Sequence, residues 1–154
     1  VSAIRYEIDP ANLQPTDNES AINPIDLPTE QALEAAIYWG DNWTMNNKVS
    51  LSYGLRYSWF ANLGPAEVFN YDPERPRNNN TTTGSTLYNS GKIIKTYHGL
   101  EPRAAFNWRI TPISSIKFGY NRMRQYIQLI SNTTAALPID RWKVSDTYLQ
   151  PQVT

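Results

Sequence analysis

The sequence predicts an all-β chain, an antiparallel up-and-down segment of a transmembrane β-barrel that occupies all of residues 1–154. Three observations predict it. Apolar and polar residues alternate with period two, most cleanly over 48–60, where Val49, Leu51, Tyr53, Leu55, Tyr57 and Trp59 share one parity and Ser50, Ser52, Gly54, Arg56 and Ser58 the other. Short and long connections between such stretches alternate strictly, as do the turns and loops at the two rims of an outer-membrane barrel. Aromatic residues reach 12%, with ten Tyr and five Trp, and these amphipathic rings suit membrane interfaces. The expected location is the bacterial outer membrane, with its lipid as a partner.

The elements follow in order. Val1 to about Asp9 places Ile4, Tyr6 and Ile8 opposite Arg5, Glu7 and Asp9, and a Pro-, Asn- and Asp-rich loop runs from about Pro10 to Glu30. The second strand covers about Ala32 to Thr44, with Leu33, Ala35, Ile37, Trp39 and Trp43 on one parity. Its opening Ala-Leu-Glu-Ala-Ala favours a helix, but the following Ile-Tyr-Trp-Gly and Trp-Thr favour a strand. A short turn at Met45-Asn46-Asn47 leads into the third strand. A stretch from about Asn62 to Thr96 reads as a long loop too polar to pack a core. The fourth strand, Leu100 to Ile110, sets Ala104, Phe106 and Trp108 against Arg103, Asn107 and Arg109. A turn at Thr111–Ser114 leads to a fifth, where Ile116, Phe118 and Tyr120 oppose Lys117, Gly119 and Asn121, and a loop runs from about Ser131 to the end.

Geometry identifies lipid as the solvent of the apolar parity. Ten rises from Val49 to Trp59 span roughly 33 Å, or roughly 25 Å along the membrane normal at a tilt near 40°, the height of a barrel's apolar band. Trp39, Trp43 and Trp108 near the short turns, and Trp59 and Phe60 beside a long loop, are the expected girdles. Arg56, Arg103, Lys117 and Asn121 then face a polar interior; in a dry sandwich core each charge needs a buried partner, at several kcal/mol per ion. A soluble Tyr-rich β domain is the competing reading.

Composition excludes several classes. No run of about eighteen apolar residues exists, so a membrane-spanning helix is ruled out. With no cysteine and a formal net charge of zero, there is no disulfide framework or thiolate metal site, and no reason to expect nucleic acid. The N-terminus shows no signal-peptide pattern, as holds for a mature or an internal segment. Neither a nucleophile–base motif nor a phosphate-cradling glycine loop is present, so no enzyme and no cofactor is expected. The single His98 sits before Gly99 and suggests no metal site, and Asp72, Glu74, Arg75 and Arg77 read as a solvated, self-neutralising loop.

From Gly99 onward the sequence resembles the barrel of TonB-dependent outer-membrane receptors, of the kind preceded by a carboxypeptidase-regulatory-like domain and a plug. The resemblance is carried by Gly99-Leu100-Glu101-Pro102-Arg103, by Lys117-Phe118-Gly119-Tyr120-Asn121-Arg122, by Arg124-Gln125-Tyr126-Ile127 and Leu129–Thr134 as a continuing ascending strand, by Leu137–Trp142, and by Gln150-Pro151-Gln152. Upstream, Glu34, Ala36, Tyr38, Asp41 and Gly54-Leu55-Arg56-Tyr57 are similar to the preceding hairpin. The likeness covers about residues 30–152. It implies a parent of about twenty-two strands, of which these are about five, because even the smallest barrels need about eight. A plug domain and TonB box are not found in this stretch. It further implies import of a nutrient (an iron chelate, glycan, peptide or vitamin) into the periplasm, with the plug, the inner-membrane TonB complex and in some cases a surface lipoprotein as partners. The alternative is a non-transporting barrel serving as scaffold or adhesin in a surface complex.

Candidate site residues fall into two groups. Arg56, Arg103, Asn107, Lys117 and Asn121 are expected to face the lumen or a plug, Arg56, Arg103 and Lys117 pairing with it or with neighbouring carboxylates. Tyr71, Tyr88, Trp142 and Tyr148 lie on long loops, from which such barrels capture ligands. Arg122, Arg124 and Tyr126 are expected at the extracellular rim.

Overall fold

In the computed structural model, which describes residues 1–9, 28–130 and 141–154, the alternating stretches form one antiparallel sheet. Its strands are β1 (Ser2–Ile8), β2 (Glu30–Asn46), β3 (Val49–Leu63), β6 (Ile93–Thr111) and β7 (Ser114–Asn121), joined side by side in the order β1-β2-β3-β6-β7. The predicted up-and-down topology is therefore observed. The short connections are two-residue turns, Asn47-Lys48 closed by the pair Asn46–Val49 and Pro112-Ile113 closed by Thr111–Ser114. No helix of the described residues is long and apolar enough to cross a membrane. Membrane barrels cross with strands.

The stretch from Asn62 to Thr96 is not the structureless loop that its polarity suggested. β3 and β6 run on to pair Leu63 with Ile93. Between them stands a second hairpin of β4 (Ala66–Tyr71) and β5 (Thr82–Tyr88), followed through a 3₁₀ turn at Asn79–Thr81. Threonine and serine hold that hairpin by β propensity and local hydrogen bonds without a hydrophobic run, so period-two apolar patterning could not reveal it.

The end of the chain departs further from expectation. The ascending strand stops at Asn121 and does not continue through Arg124–Ile127. Instead the chain leaves the sheet at Arg122 and forms two small ladders, β8 (Arg124–Gln125) with β11 (Gln152–Val153) and β9 (Ile127–Ile130) with β10 (Arg141–Val144). Met123 and Thr154 exchange backbone hydrogen bonds of 3.0 and 3.1 Å. The last loop is thus partly strand; residues 131–140 lie outside the described ones.

This returning segment lies on one face of the sheet. Tyr126 stacks on Phe60 with ring centroids 4.7 Å apart and planes at 4°. Both are buried with Ala32 and Val144, and Tyr6, Ile8, Tyr97 and Ile127 pack around them. Three expectations are corrected here. Tyr126 is not at the rim. Phe60 belongs to this inner cluster and not to an aromatic girdle, its parity being opposite to that of Trp59. Ile4, Tyr6 and Ile8 share the inner face too, because the register sets them opposite the inward-facing Glu34, Ala32 and Glu30.

Candidate functional site

The sheet registers sort every strand residue onto one of two faces. On the outer face, Ile37, Trp39, Trp43, Leu55, Tyr57, Leu100, Phe106, Trp108, Ile116, Phe118 and Tyr120 all remain exposed. Trp39 is 63% and Phe118 64% exposed. So continuous an apolar surface marks an interface with lipid or protein. Within it Trp39 lies opposite Leu55 and edge-on to Tyr53 at 5.6 Å; it stands in mid-band, while Trp43 and Trp108 stand near the turns. His98 lies within β6 beside Trp59, its ring 6.0 Å from that of Tyr57.

The inner face is polar, and its rungs bring the five lumen candidates together. Just above the Arg109–Ser115 pair, Thr44, Ser50, Asn107 and Lys117 form one rung, followed by Asn42, Ser52, Ala105 and Gly119, then Gly40, Gly54, Arg103 and Asn121. Arg103 lies across the sheet over Gly54, where a Cβ would meet its Nε at 2.9 Å and the arginine side chain would have to shift. In these rungs Arg103 and Lys117 make no ion pair among the described residues, so the lower inner wall is cationic.

Above this wall Arg56 is fully engaged. It donates from Nη2 to Glu34 Oε1 at 2.9 Å and from Nη1 to Glu101 Oε2 at 3.4 Å. The Tyr6 hydroxyl donates to the other Glu34 oxygen at 2.9 Å, and Glu101, only 3% exposed, also accepts from Ser58. The Ser58 and Tyr126 hydroxyls are 2.7 Å apart. Burying two carboxylates requires this density of partners. Of the alternatives open for Arg56, its contacts here are with neighbouring carboxylates. Arg124, expected at the rim, lays its guanidinium against the backbone of Gly99, where a Cβ would collide with it. Arg122 stays exposed, its N–H donating to the Pro102 carbonyl at 3.0 Å.

A second polar cluster anchors β10. Lys143 Nζ bridges Glu30 Oε1 at 2.9 Å and Asp146 Oδ2 at 2.8 Å, and the other Glu30 oxygen accepts the Val144 N–H at 2.9 Å. The Tyr97 hydroxyl donates to the Asp146 carbonyl at 2.6 Å. Burial works against the Lys143 ammonium, but the Asp146 hydrogen bond and the nearby Glu30 outweigh it and raise the pKa. Burial likewise opposes the Asp146 carboxylate, yet the Lys143 hydrogen bond and the Tyr148 and Leu149 N–H groups hold its pKa below the usual value.

Of the loop candidates, Tyr71 and Tyr148 meet and the other two do not. Their rings are 5.5 Å apart at 70°, the Arg77 guanidinium sits 4.5 Å over the Tyr148 ring, and the Tyr148 hydroxyl donates to the Phe69 carbonyl at 2.5 Å. With Asp72, Pro73, Arg75 and Pro76 they line a cavity of about 460 Å³. Asp72 and Arg75 pair at 3.5 Å, in keeping with a self-neutralising loop. A neighbouring cavity of about 410 Å³ lies between β4 and Asp146–Tyr148. Tyr88 pairs with Ala66, while Trp142 lies opposite Leu129 with its ring exposed. The sequence named the two tyrosines one by one; what it lacked was the inward placement of 122–130 and 141–154, which brings Tyr148 to the β4–β5 hairpin.

A family model described as an outer membrane beta barrel domain matches residues 14–150. Neither a curated protein nor a solved structure matches the chain.

Proposed function

The chain belongs to the outer membrane beta barrel domain family, and from that premise we propose that it forms part of a TonB-dependent transporter that imports a nutrient into the periplasm. Its place is the bacterial outer membrane, with the apolar face toward lipid. The observation that carries the proposal is the inner face: a polar wall with cations below that make no ion pair among the described residues, crossed at its upper end by the folded-back stretches 122–130 and 141–154. A lumen lined and narrowed in this way suits selective passage. Arg103 and Lys117, which make no ion pair among the described residues, are with Asn107 and Asn121 the groups we assign to a plug or a passing solute, and the Tyr71–Tyr148 cavity is the assigned outer capture point. Energy would come through the inner-membrane TonB complex, and the chemistry of the nutrient, whether iron chelate, glycan, peptide or vitamin, stays open.

The test is uptake by cells with and without the parent protein, using labelled members of those four classes, each repeated after the proton-motive force is collapsed. The proposal expects one class to lose accumulation in both cases. A second reading, a scaffold or adhesin acting with a surface lipoprotein, is favoured by the β4–β5 hairpin, which leaves Phe69 and Leu87 exposed. Unchanged uptake of all four classes, with loss of a surface protein from outer-membrane extracts, would support that reading and contradict import.

A further inference from the structure

The outer face holds one charged side chain where lipid is expected. By register with Tyr53, Asp41 points outward between Trp39 and Trp43. It stands six positions before Asn47 at the turn, or about 15 Å up the membrane normal at about 2.5 Å per tilted residue, near the middle of an apolar band about 25 Å tall. At the outward positions of β3 from Val49 to Trp59, and at the outward positions of β6 and β7 facing them, the described residues show no other Asp, Glu, Lys or Arg. One Asp41 oxygen accepts the Asn42 N–H at 2.8 Å, and the carboxylate makes no ion pair among the described residues.

Asp41 also lies at an open edge. β1 covers β2 only from Glu30 to Ala36; from Ile37 to Asn46 every residue of β2 is exposed, and apart from the bulged Met45 each pairs, among the described residues, on the β3 side alone. An edge of that length in hydrocarbon leaves backbone groups unsatisfied.

We infer that the lower edge of β2 takes an antiparallel strand in line with β1, and that this strand places a hydrogen-bond donor (Lys, Arg, Asn, Gln, Ser or Thr) outward against Asp41. The register of β1 carries over: each step down from the Ser2–Ala36 pair advances β2 by one residue, so the donor lies opposite Asp41 five steps below Ser2. The strand belongs to the larger barrel, so the inference rests on the reading of this chain as part of one. A carboxylate at this depth opposes insertion unless a partner meets it, and a pair satisfied across adjacent strands removes that cost.

The experiment compares Asp41→Leu and Asp41→Asn in the full parent barrel refolded into phosphatidylcholine vesicles, reading the denaturant midpoint of unfolding and heat-modifiable mobility on gels. Leucine is the favoured residue on a lipid face, so an unpaired Asp41 requires Asp41→Leu to raise the midpoint above both wild type and Asp41→Asn. A donor opposite Asp41 gives the reverse order: Asp41→Leu falls below wild type or fails to assemble, while Asp41→Asn, which still accepts a hydrogen bond, falls less. Wild type at or below Asp41→Leu overturns the inference. The readout is assembly and not uptake, so it stands or falls separately from the transport proposal.

Discussion

Replacing Tyr126 by alanine should release the folded-back segment from the sheet. Tyr126 is 3% exposed, and its ring covers the fully buried Phe60. Truncating a buried aromatic costs about 3–5 kcal/mol, within which the stacked pair itself accounts for about 0.5–1.5 kcal/mol. At about 1.4 kcal/mol per tenfold, the opening equilibrium of the segment rises from about a hundredfold to a few thousandfold. The Ser145 N–H reports on it directly, because it donates to the Tyr126 carbonyl at 2.7 Å and its residue is fully buried. Hydrogen exchange at Ser145 should accelerate by that factor, while exchange in the β3–β6 ladder stays unchanged. Tyr126→Phe keeps the stack and removes only the hydroxyl contact to Ser58, which retains Glu101. Its cost is about 0.5–1.5 kcal/mol, or roughly a two- to tenfold acceleration. Equal protection of Ser145 in wild type and Tyr126→Ala would refute the docking of this segment.

Three further outcomes are expected. Leu55→Arg should destabilise the parent barrel in bilayers by about 2–4 kcal/mol, because Leu55 points outward in mid-band, whereas Ser52→Arg on the polar inner face should cost much less; comparable costs would contradict the assignment of faces. The Lys143–Asp146 anchor should be pH-dependent at both ends. The raised Lys143 pKa stabilises fully below its unfolded value near 10.4 and is lost as pH climbs through the folded one; the lowered Asp146 pKa stabilises above about 3.9 and is lost as pH falls through its folded value. A dye on Thr147→Cys, in a chain without native cysteine, should therefore report docking across roughly pH 4 to 10, whereas Lys143→Met, which lacks the ion pair at every pH, should dock more weakly throughout and lose the Lys143 transition at high pH. Residues 1–154 expressed alone should aggregate or show weak β structure, since among the described residues both sheet edges are unpaired; cooperative folding to a soluble monomer would contradict the barrel.

The sheet was legible because a period of two is written directly into side-chain alternation, and because Asn46-Asn47 and Pro112 punctuate it at both short turns. Parity also placed Arg56, Arg103, Asn107, Lys117 and Asn121 on one face. What parity could not show was where the chain leaves the sheet. Ile116, Phe118, Tyr120, Arg122, Arg124 and Tyr126 share a parity, yet the break at Arg122 sends the last two inward. The determinants of that break are long-range: Gly99 leaves room for the Arg124 guanidinium, and Phe60 offers Tyr126 a ring to stack on. Phe60 itself was misplaced because its neighbour Trp59 fits a girdle and adjacent residues face opposite ways. The β4–β5 hairpin escaped because Thr82–Thr86 has no apolar alternation to detect.

The most direct test of the account is site-by-site lipid contact along β3. Single cysteines at residues 50 to 57, each carrying a nitroxide in the parent barrel reconstituted in bilayers, should alternate in accessibility. Positions 51, 53, 55 and 57 should be relaxed strongly by oxygen, which partitions into lipid, and positions 50, 52, 54 and 56 weakly. Uniform accessibility, or strong contact with a water-soluble relaxant at 51, 53 and 55, would contradict a membrane-facing apolar parity and the barrel built on it.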